Sequence, residues 1–145
     1  AMLPIFQLLG TKYCRKDIIT RFINKEKMYD GFTKISFIYP HAVASMKVGQ
    51  GAKSEGEMIV SGTKGYIYVP APWWKTDYFE VRYENQQNNK RYFYQLDGEG
   101  LRYELLSFLK AIRTGKEFSY VANDISKAIT STIADFYAHQ DMTVI

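Results

Sequence analysis

The sequence predicts an α+β fold: one large, mostly antiparallel (mixed) β-sheet with helices packed on one face. Three observations carry this. Between residues 32 and 96, apolar and polar residues alternate at period two. Glycine and proline clusters cut that stretch into short runs. After Gly100 the period becomes helical and stays so to about His139. Strands first and helices afterwards put the helices on one face of the sheet.

The elements follow in order. Pro4 suits a helix start and Gly10 its C-cap, with Ile5, Leu8 and Leu9 directed to a core. Residues 18–28 are loosely strand-like, and Tyr29-Asp30-Gly31 reads as a turn. Residues 32–39 form a strand with Ile35, Phe37 and Tyr39 on one face. Pro40-His41 breaks it, and residues 42–48 return with Ala42, Ala44, Met46 and Val48 aligned, which makes a hairpin. Residues 49–56 are a glycine-rich connection. Residues 57–61 and 66–69 form a second hairpin about Gly62-Thr63-Lys64-Gly65. Pro70-Ala71-Pro72 ends it at an aromatic corner, Trp73-Trp74. Residues 78–83 and 91–96 are further strands with a polar loop between them. A helix at 101–114 aligns Leu101, Leu105, Phe108, Leu109 and Ile112, with Gly115 closing it. A second helix, N-capped by Asn123 and running to about 139, has Ile125, Ile129, Thr132, Ile133 and Phe136 as its inner stripe. Residues 142–145 read as a terminal strand or the stub of one.

The 145 residues suffice for a single domain, 1–145, with a core that needs no disulfide or metal. Charged residues at 23% and hydrophobic ones at 46% are ordinary for a soluble globular protein, so the reading favours one. Aromatic residues, at 16%, are many, which suggests extensive strands, a large interface, or both. One cysteine, Cys14, permits no internal disulfide, and a reducing cytoplasmic compartment is expected. No eighteen-residue apolar stretch predicts a membrane span, and no secretory signal opens the chain. The net charge of +4 is dispersed, with no basic stripe for nucleic acid. Ala1-Met2 looks like a tag remnant before a start codon. The chain then begins inside an apolar segment, so it reads as a piece of a longer protein or a truncated gene product.

Little in the sequence carries chemistry. Cys14 has no base in a recognisable motif, the two histidines lie far apart, and one Cys with two distant His gives no metal-ligand spacing. No Gly-x-Ser-x-Gly is present. The loop Gly49–Gly56 holds Ala52-Lys53-Ser54 and leads into a strand, where a phosphate loop needs Gly-Lys-Ser/Thr and a helix. Asp77, Glu80, Glu84, Asp97 and Glu99 offer carboxylates, but their spacing on strands defines no acid–base pair. No strand-to-helix Gly-x-Gly-x-x-Gly exists, so no dinucleotide site is expected in this chain. The one suggestive feature is Trp73, Trp74 and Lys75 behind Pro70-Ala71-Pro72. It is either a wall for a sugar-like or small polar substrate, or two indoles packed against the helices. On the sheet, Tyr66, Tyr68, Tyr78, Tyr92 and Tyr94 are candidates for an interface on the uncovered face, through which a homo-oligomer would form.

The segment Ser61-Gly62-Thr63-Lys64-Gly65-Tyr66-Ile67-Tyr68-Val69-Pro70 with the Trp73-Trp74 corner resembles the central hairpin of the glucose-fructose oxidoreductase / inositol dehydrogenase / rhizopine-catabolism (Gfo/Idh/MocA) family. The opening residues 4–10 resemble the helix that follows that family's catalytic stretch. Residues 100–104 through 112–116, then 122–125, resemble its closing helix pair. The matches stand in order and cover almost the whole chain. The resemblance implies a dihydrodipicolinate-reductase-like or GAPDH-like C-terminal domain. It implies a missing N-terminal Rossmann domain that binds NAD or NADP in the full-length protein, and catalytic residues outside this chain. It also implies a sugar, inositol, dihydrodiol or similar hydroxyl compound as substrate, and association through the open sheet. By itself the chain would be inactive. A stand-alone binding or scaffold protein of the same fold remains open, as does a small hydrolase or isomerase of cystatin-like or barrel-like shape.

Overall fold

The computed structural model describes residues 1–98, 100–116 and 119–145. The chain forms two compact units, Ala1–Lys53 with Ser119–Ile145, and Ser54–Phe118. The fold class read from the sequence holds: α+β, mostly antiparallel, with helices on one face. The strands are divided between two four-stranded sheets, however, where alternation alone suggested one. The division falls at the glycine-rich stretch after residue 48, where Gly51 N–H turns back to the Gly31 carbonyl at 2.9 Å.

The first unit holds α1 (Met2–Leu9), β1 (Arg15–Asn24), β2 (Tyr29–Ile38) and β3 (Val43–Gly49). Its sheet runs β3-β2-β1 and then the terminal strand β8 (Met142–Val144), which lies parallel to β1. The register β1–β2 pairs Lys16 with Phe37, Ile18 with Ile35 and Thr20 with Thr33. All six are buried, so one face of the sheet is core. Thr20 and Thr33 satisfy each other at 2.8 Å, Oγ1 to Oγ1. Phe6 of α1 and Ile125, Ala128, Ile129 and Phe136 of α3 (Asn123–Tyr137) cover this face. Thr132, fully buried on α3, returns its hydroxyl to the Ala128 carbonyl at 2.8 Å.

Several sequence expectations shift here. The turn assigned to residues 29–31 lies at 25–28, and Tyr29 already belongs to β2. Met28 takes the left-handed conformation that closes it, φ 52°. On α1 the buried residue is Phe6, with Met2 and Ile5 packed beside it, so Ile5 meets the core as expected; Leu8 and Leu9 are exposed because the contact runs through the first turns of the helix and not its last. The N-cap of α3 is Ala122, with Asn123 its first helical residue.

The second unit holds β4 (Met58–Ser61), β5 (Gly65–Val69), β6 (Tyr78–Tyr83), β7 (Lys90–Phe93) and α2 (Leu101–Thr114), with a 3-10 turn at Gln86–Asn88. The sheet order is the sequence order, a meander. Gly65 opens β5 opposite Tyr83, and a Cβ there would lie 2.4 Å from the Arg82 carbonyl oxygen, so only glycine allows this approach. The expected strand 91–96 stops at Phe93. Helix α2 has the predicted bounds, and Gly115 closes it in the left-handed region, φ 64°. Leu101, Leu105, Phe108, Leu109 and Ile112, expected to face a core, are exposed. No described helix is long and apolar enough to cross a membrane.

Candidate functional site

Two features of the second unit bear on function. The first is the corner after β5. Pro72 follows a cis peptide, Trp73 N–H donates to the Gly56 carbonyl at 3.0 Å, and Lys75 N–H to the Pro72 carbonyl at 2.9 Å. The two indoles meet edge to face, centroids 5.9 Å apart. Trp73 is half-buried, whereas Trp74 leaves 63% of its surface exposed against Gly56. Trp74 and Lys75 therefore present a flat apolar surface and a cationic chain together at one exposed turn.

The second is the sheet itself. Pairing sets Tyr68 opposite Glu80 and Glu80 opposite Arg91, with Tyr66 opposite Arg82. Tyr66, Tyr68, Tyr78, Glu80, Arg82 and Arg91 thus share one face. Glu80 is buried. Its Oε2 accepts from Arg82 Nε at 2.6 Å, and its Oε1 from Arg91 Nε at 2.8 Å and from Arg91 Nη2. The guanidinium of Arg82 lies 4.6 Å from the Tyr68 ring centre, and that of Arg91 4.8 Å from the Tyr78 ring centre. Arg82 Nη1 also donates to the Tyr66 hydroxyl at 3.4 Å.

The hydrogen bonds from Arg82 and Arg91 hold the Glu80 carboxyl below the usual carboxylate range. A lowered pKa in the fold means that the cluster stabilises the protein at neutral pH. That contribution is complete above the unfolded glutamate value of about 4.3 and is lost as pH falls through the lower, folded value. A carbon-13 titration of the Glu80 carboxyl should therefore show a midpoint below about 4.3. A midpoint at or above it would mean that the arginines do not act on this group. Committed to two guanidiniums, Glu80 is poorly suited to act as a general acid.

The interface candidates divide. Tyr66, Tyr68 and Tyr78 lie together, but Tyr92 pairs with Phe79 and so occupies the opposite face, its ring stacked on Phe79 at 5.0 Å. Tyr94 lies beyond β7, exposed, with its N–H donating to the Asp77 carbonyl at 2.7 Å. Alternation along single strands could not separate these tyrosines, because the β6–β7 register decides which side each takes. Among the carboxylates, Asp97 pairs with Arg102. Glu99 lies outside the described residues. The sequence reading did not single out Arg82, nor the meeting of Arg91 with Glu80. The signal present was the alternation Tyr78, Glu80, Arg82, but their meeting with Arg91 depends on pairing between strands.

The described residues do not fit a nicotinamide dinucleotide. Its pyrophosphate sits where a glycine turn leads from a parallel strand into a helix N-terminus. Here the glycine-rich stretch 49–56 precedes strand β4, and the sheet that precedes α2 is an antiparallel meander.

No protein-family model and no curated protein matches the sequence. Solved structures do match in fold. One is a mutant of KijD10, a 3-ketoreductase from Actinomadura kijaniata, in complex with TDP-benzene and NADP: TM-score 0.74, 8% identity, 99% of this chain and 46% of that one. Another is yvaA from Bacillus subtilis, with TM-score 0.64, 12% identity, and coverage of 94% and 46%. A third is YPO2259 from Yersinia pestis, with TM-score 0.62, 15% identity, and coverage of 97% and 46%. The last two are assigned as oxidoreductases. At such identities the likeness is one of fold, and the chain spans less than half the length of each.

Proposed function

We propose that this chain is the substrate-side and oligomerisation part of an NAD(P)-dependent oxidoreductase of the Gfo/Idh/MocA type. Its substrate class is a sugar, inositol, dihydrodiol or similar hydroxyl compound. The carrying observation is that nearly the whole chain takes the fold of just under half of a 3-ketoreductase bound to NADP. The ordered sequence matches at the glycine hairpin, the opening helix and the closing helix pair support the same assignment. In this reading NAD or NADP binds to a Rossmann domain supplied by the remainder of a longer protein. The chain itself supplies the Trp73-Trp74-Lys75 wall, with the indoles against carbon–hydrogen faces of the substrate and Lys75 toward a polar or anionic group. The test is kinetic, on the protein encoded by the complete gene. Trp74→Ala should lower kcat/KM by about tenfold, which is about 1.4 kcal/mol of transition-state binding. Unchanged kinetics for Trp73→Ala, Trp74→Ala and Lys75→Ala would leave the corner a packing feature. The 145-residue chain alone should bind NADP(H) more weakly than about 10 μM by calorimetry, a threshold of roughly −7 kcal/mol.

The tyrosine face of β5 and β6 is the proposed contact between copies. Tyrosine tolerates a half-wet surface and is enriched in interfaces, and two identical faces can close on a twofold axis. Sedimentation at micromolar concentration should give twice 16.8 kDa, and Tyr68→Glu should return the monomer. A monomer throughout would defeat the association, and a dimer unaffected by Tyr68→Glu would place it elsewhere.

A further inference from the structure

Helix α2 turns its apolar side outward. Leu101, Leu105, Phe108 and Ile112 recur at spacings of four, three and four, and Leu109 broadens the stripe. Such spacing directs one side of a helix to a partner. Yet each of the five leaves 48–63% of its surface exposed. The half-buried residues are Tyr103, Ser107 and Ala111, spaced four apart on the other side of the helix. Two of these carry polar atoms and the third is a single methyl. Polar contacts hold the start of the helix: the Asp97 N–H donates to the Tyr103 hydroxyl at 3.1 Å, and Arg102 pairs with Asp97. The side chains that gain most from leaving water are thus the ones left in it. A contiguous apolar row of this size marks an interaction surface.

We propose that the α2 stripe is the docking surface for the dinucleotide-binding domain of the longer protein, an inference that rests on the oxidoreductase assignment proposed above. The length of chain outside the matched part supports that occupant. The match takes in 46% of each of the three compared structures, so more than half of each lies beyond it. A doubly wound dinucleotide-binding domain carries helices on both faces of its sheet. A helix with this apolar spacing packs along another helix at about 20°, ridges into grooves. With 14 residues, α2 is about 21 Å long, enough to lie along one such helix. The charges favour a protein partner over a lipid surface. A helix that lies on a membrane carries an unopposed basic polar face, whereas here Arg102 is paired with Asp97 and Glu104 is among the first residues of the helix. The stripe shares no residue with the tyrosine face of β5 and β6, which is assigned to contact between copies.

Hydrogen exchange tests the docking, measured on the protein encoded by the complete gene and on the 145-residue chain at the same concentration. Peptides spanning residues 101–114 should exchange about tenfold or more slowly in the complete protein. Leu105→Gln combined with Phe108→Gln should return them to the rate seen in the 145-residue chain, while binding of NAD or NADP is retained. Glutamine is a good helix former and both side chains are exposed, so in the 145-residue chain the same pair should leave the urea midpoint unchanged. A complete protein that binds NAD or NADP, yet exchanges residues 101–114 as fast as the 145-residue chain does, would overturn the docking and keep the oxidoreductase assignment. Protection that survives the double replacement would overturn it equally. Protection present in the 145-residue chain and fading on dilution would give the stripe to a second copy, against the proposal. A complete protein that binds neither dinucleotide would remove the assignment and the docking together.

Discussion

Asp135→Ala should destabilise the first unit by roughly 3 kcal/mol, toward the low end of the 3–5 kcal/mol typical of a buried ion pair broken on one side. Lys16 lies on the core face of β1, opposite Phe37, and its side chain is 3% exposed. Its ammonium donates to Asp135 of α3, and Asp141 lies 3.8 Å away. An ammonium out of water needs a partner within hydrogen-bond reach, and α3 supplies it. With Asp135 removed, Asp141 is left, but that carboxylate is 61% exposed and screened by solvent, so it offsets only part of the loss. The double replacement Lys16→Met with Asp135→Leu removes both charges and keeps apolar volume. It should come within about 1 kcal/mol of the parent or exceed it. Urea unfolding, read from amides of the first unit, measures both. A loss below about 1 kcal/mol for Asp135→Ala would show that Lys16 finds water or another acceptor.

That pair also marks the limit of what the sequence discloses. Lys16 precedes the apolar stretch from Ile18, and nothing beside it in the sequence marks it as buried. Only the β1–β2 register turns it inward, and only α3, more than a hundred residues later, neutralises it. The strands with clean alternation, 32–39 and 42–48, were legible because half-buried strands carry their orientation in their own side chains. Both late helices were legible for the same reason at period 3.6. What alternation cannot state is which strands pair. The sheet therefore read as one where hydrogen bonding divides it in two, and β8 could be recognised as a strand but not as the parallel neighbour of β1. The same gap applies to the site. Trp73 and Trp74 are adjacent in sequence and visible as a corner, whereas Glu80, Arg82 and Arg91 meet through the β6–β7 pairing. The apolar stripe of α2 was correct in its periodicity, yet the side chains it aligns are exposed. Periodicity reports that a face is apolar and leaves open what it meets.

Phe37→Ala should cost about 3–5 kcal/mol, the range for deleting a fully buried aromatic ring. Phe37 is 0% exposed at the centre of the β2 core face. Its ring meets Phe6 edge to face, centroids 5.0 Å apart, and Tyr13 at 5.1 Å. Phe6 is the one buried residue of α1, and the Tyr39 hydroxyl donates to the carbonyl of Gly10 at the end of that helix, 2.8 Å away. The attachment of α1 to the sheet thus runs through Phe37 and its aromatic neighbours. An alanine leaves a void that eight residues of helix, covered on one side only, have little means to fill. Two readouts should therefore move together: the unfolding free energy of the first unit, and the hydrogen-exchange protection of the α1 amides, which should fall by more than that of β1 and β2. Ile19→Ala supplies the comparison, because that side chain lies on the opposite face of β1, is 38% exposed, and should cost under about 1.5 kcal/mol. If Phe37→Ala cost no more than Ile19→Ala, or if α1 kept its protection while the sheet lost its own, the helix would be held by its contacts with α3 and not by the aromatic cluster.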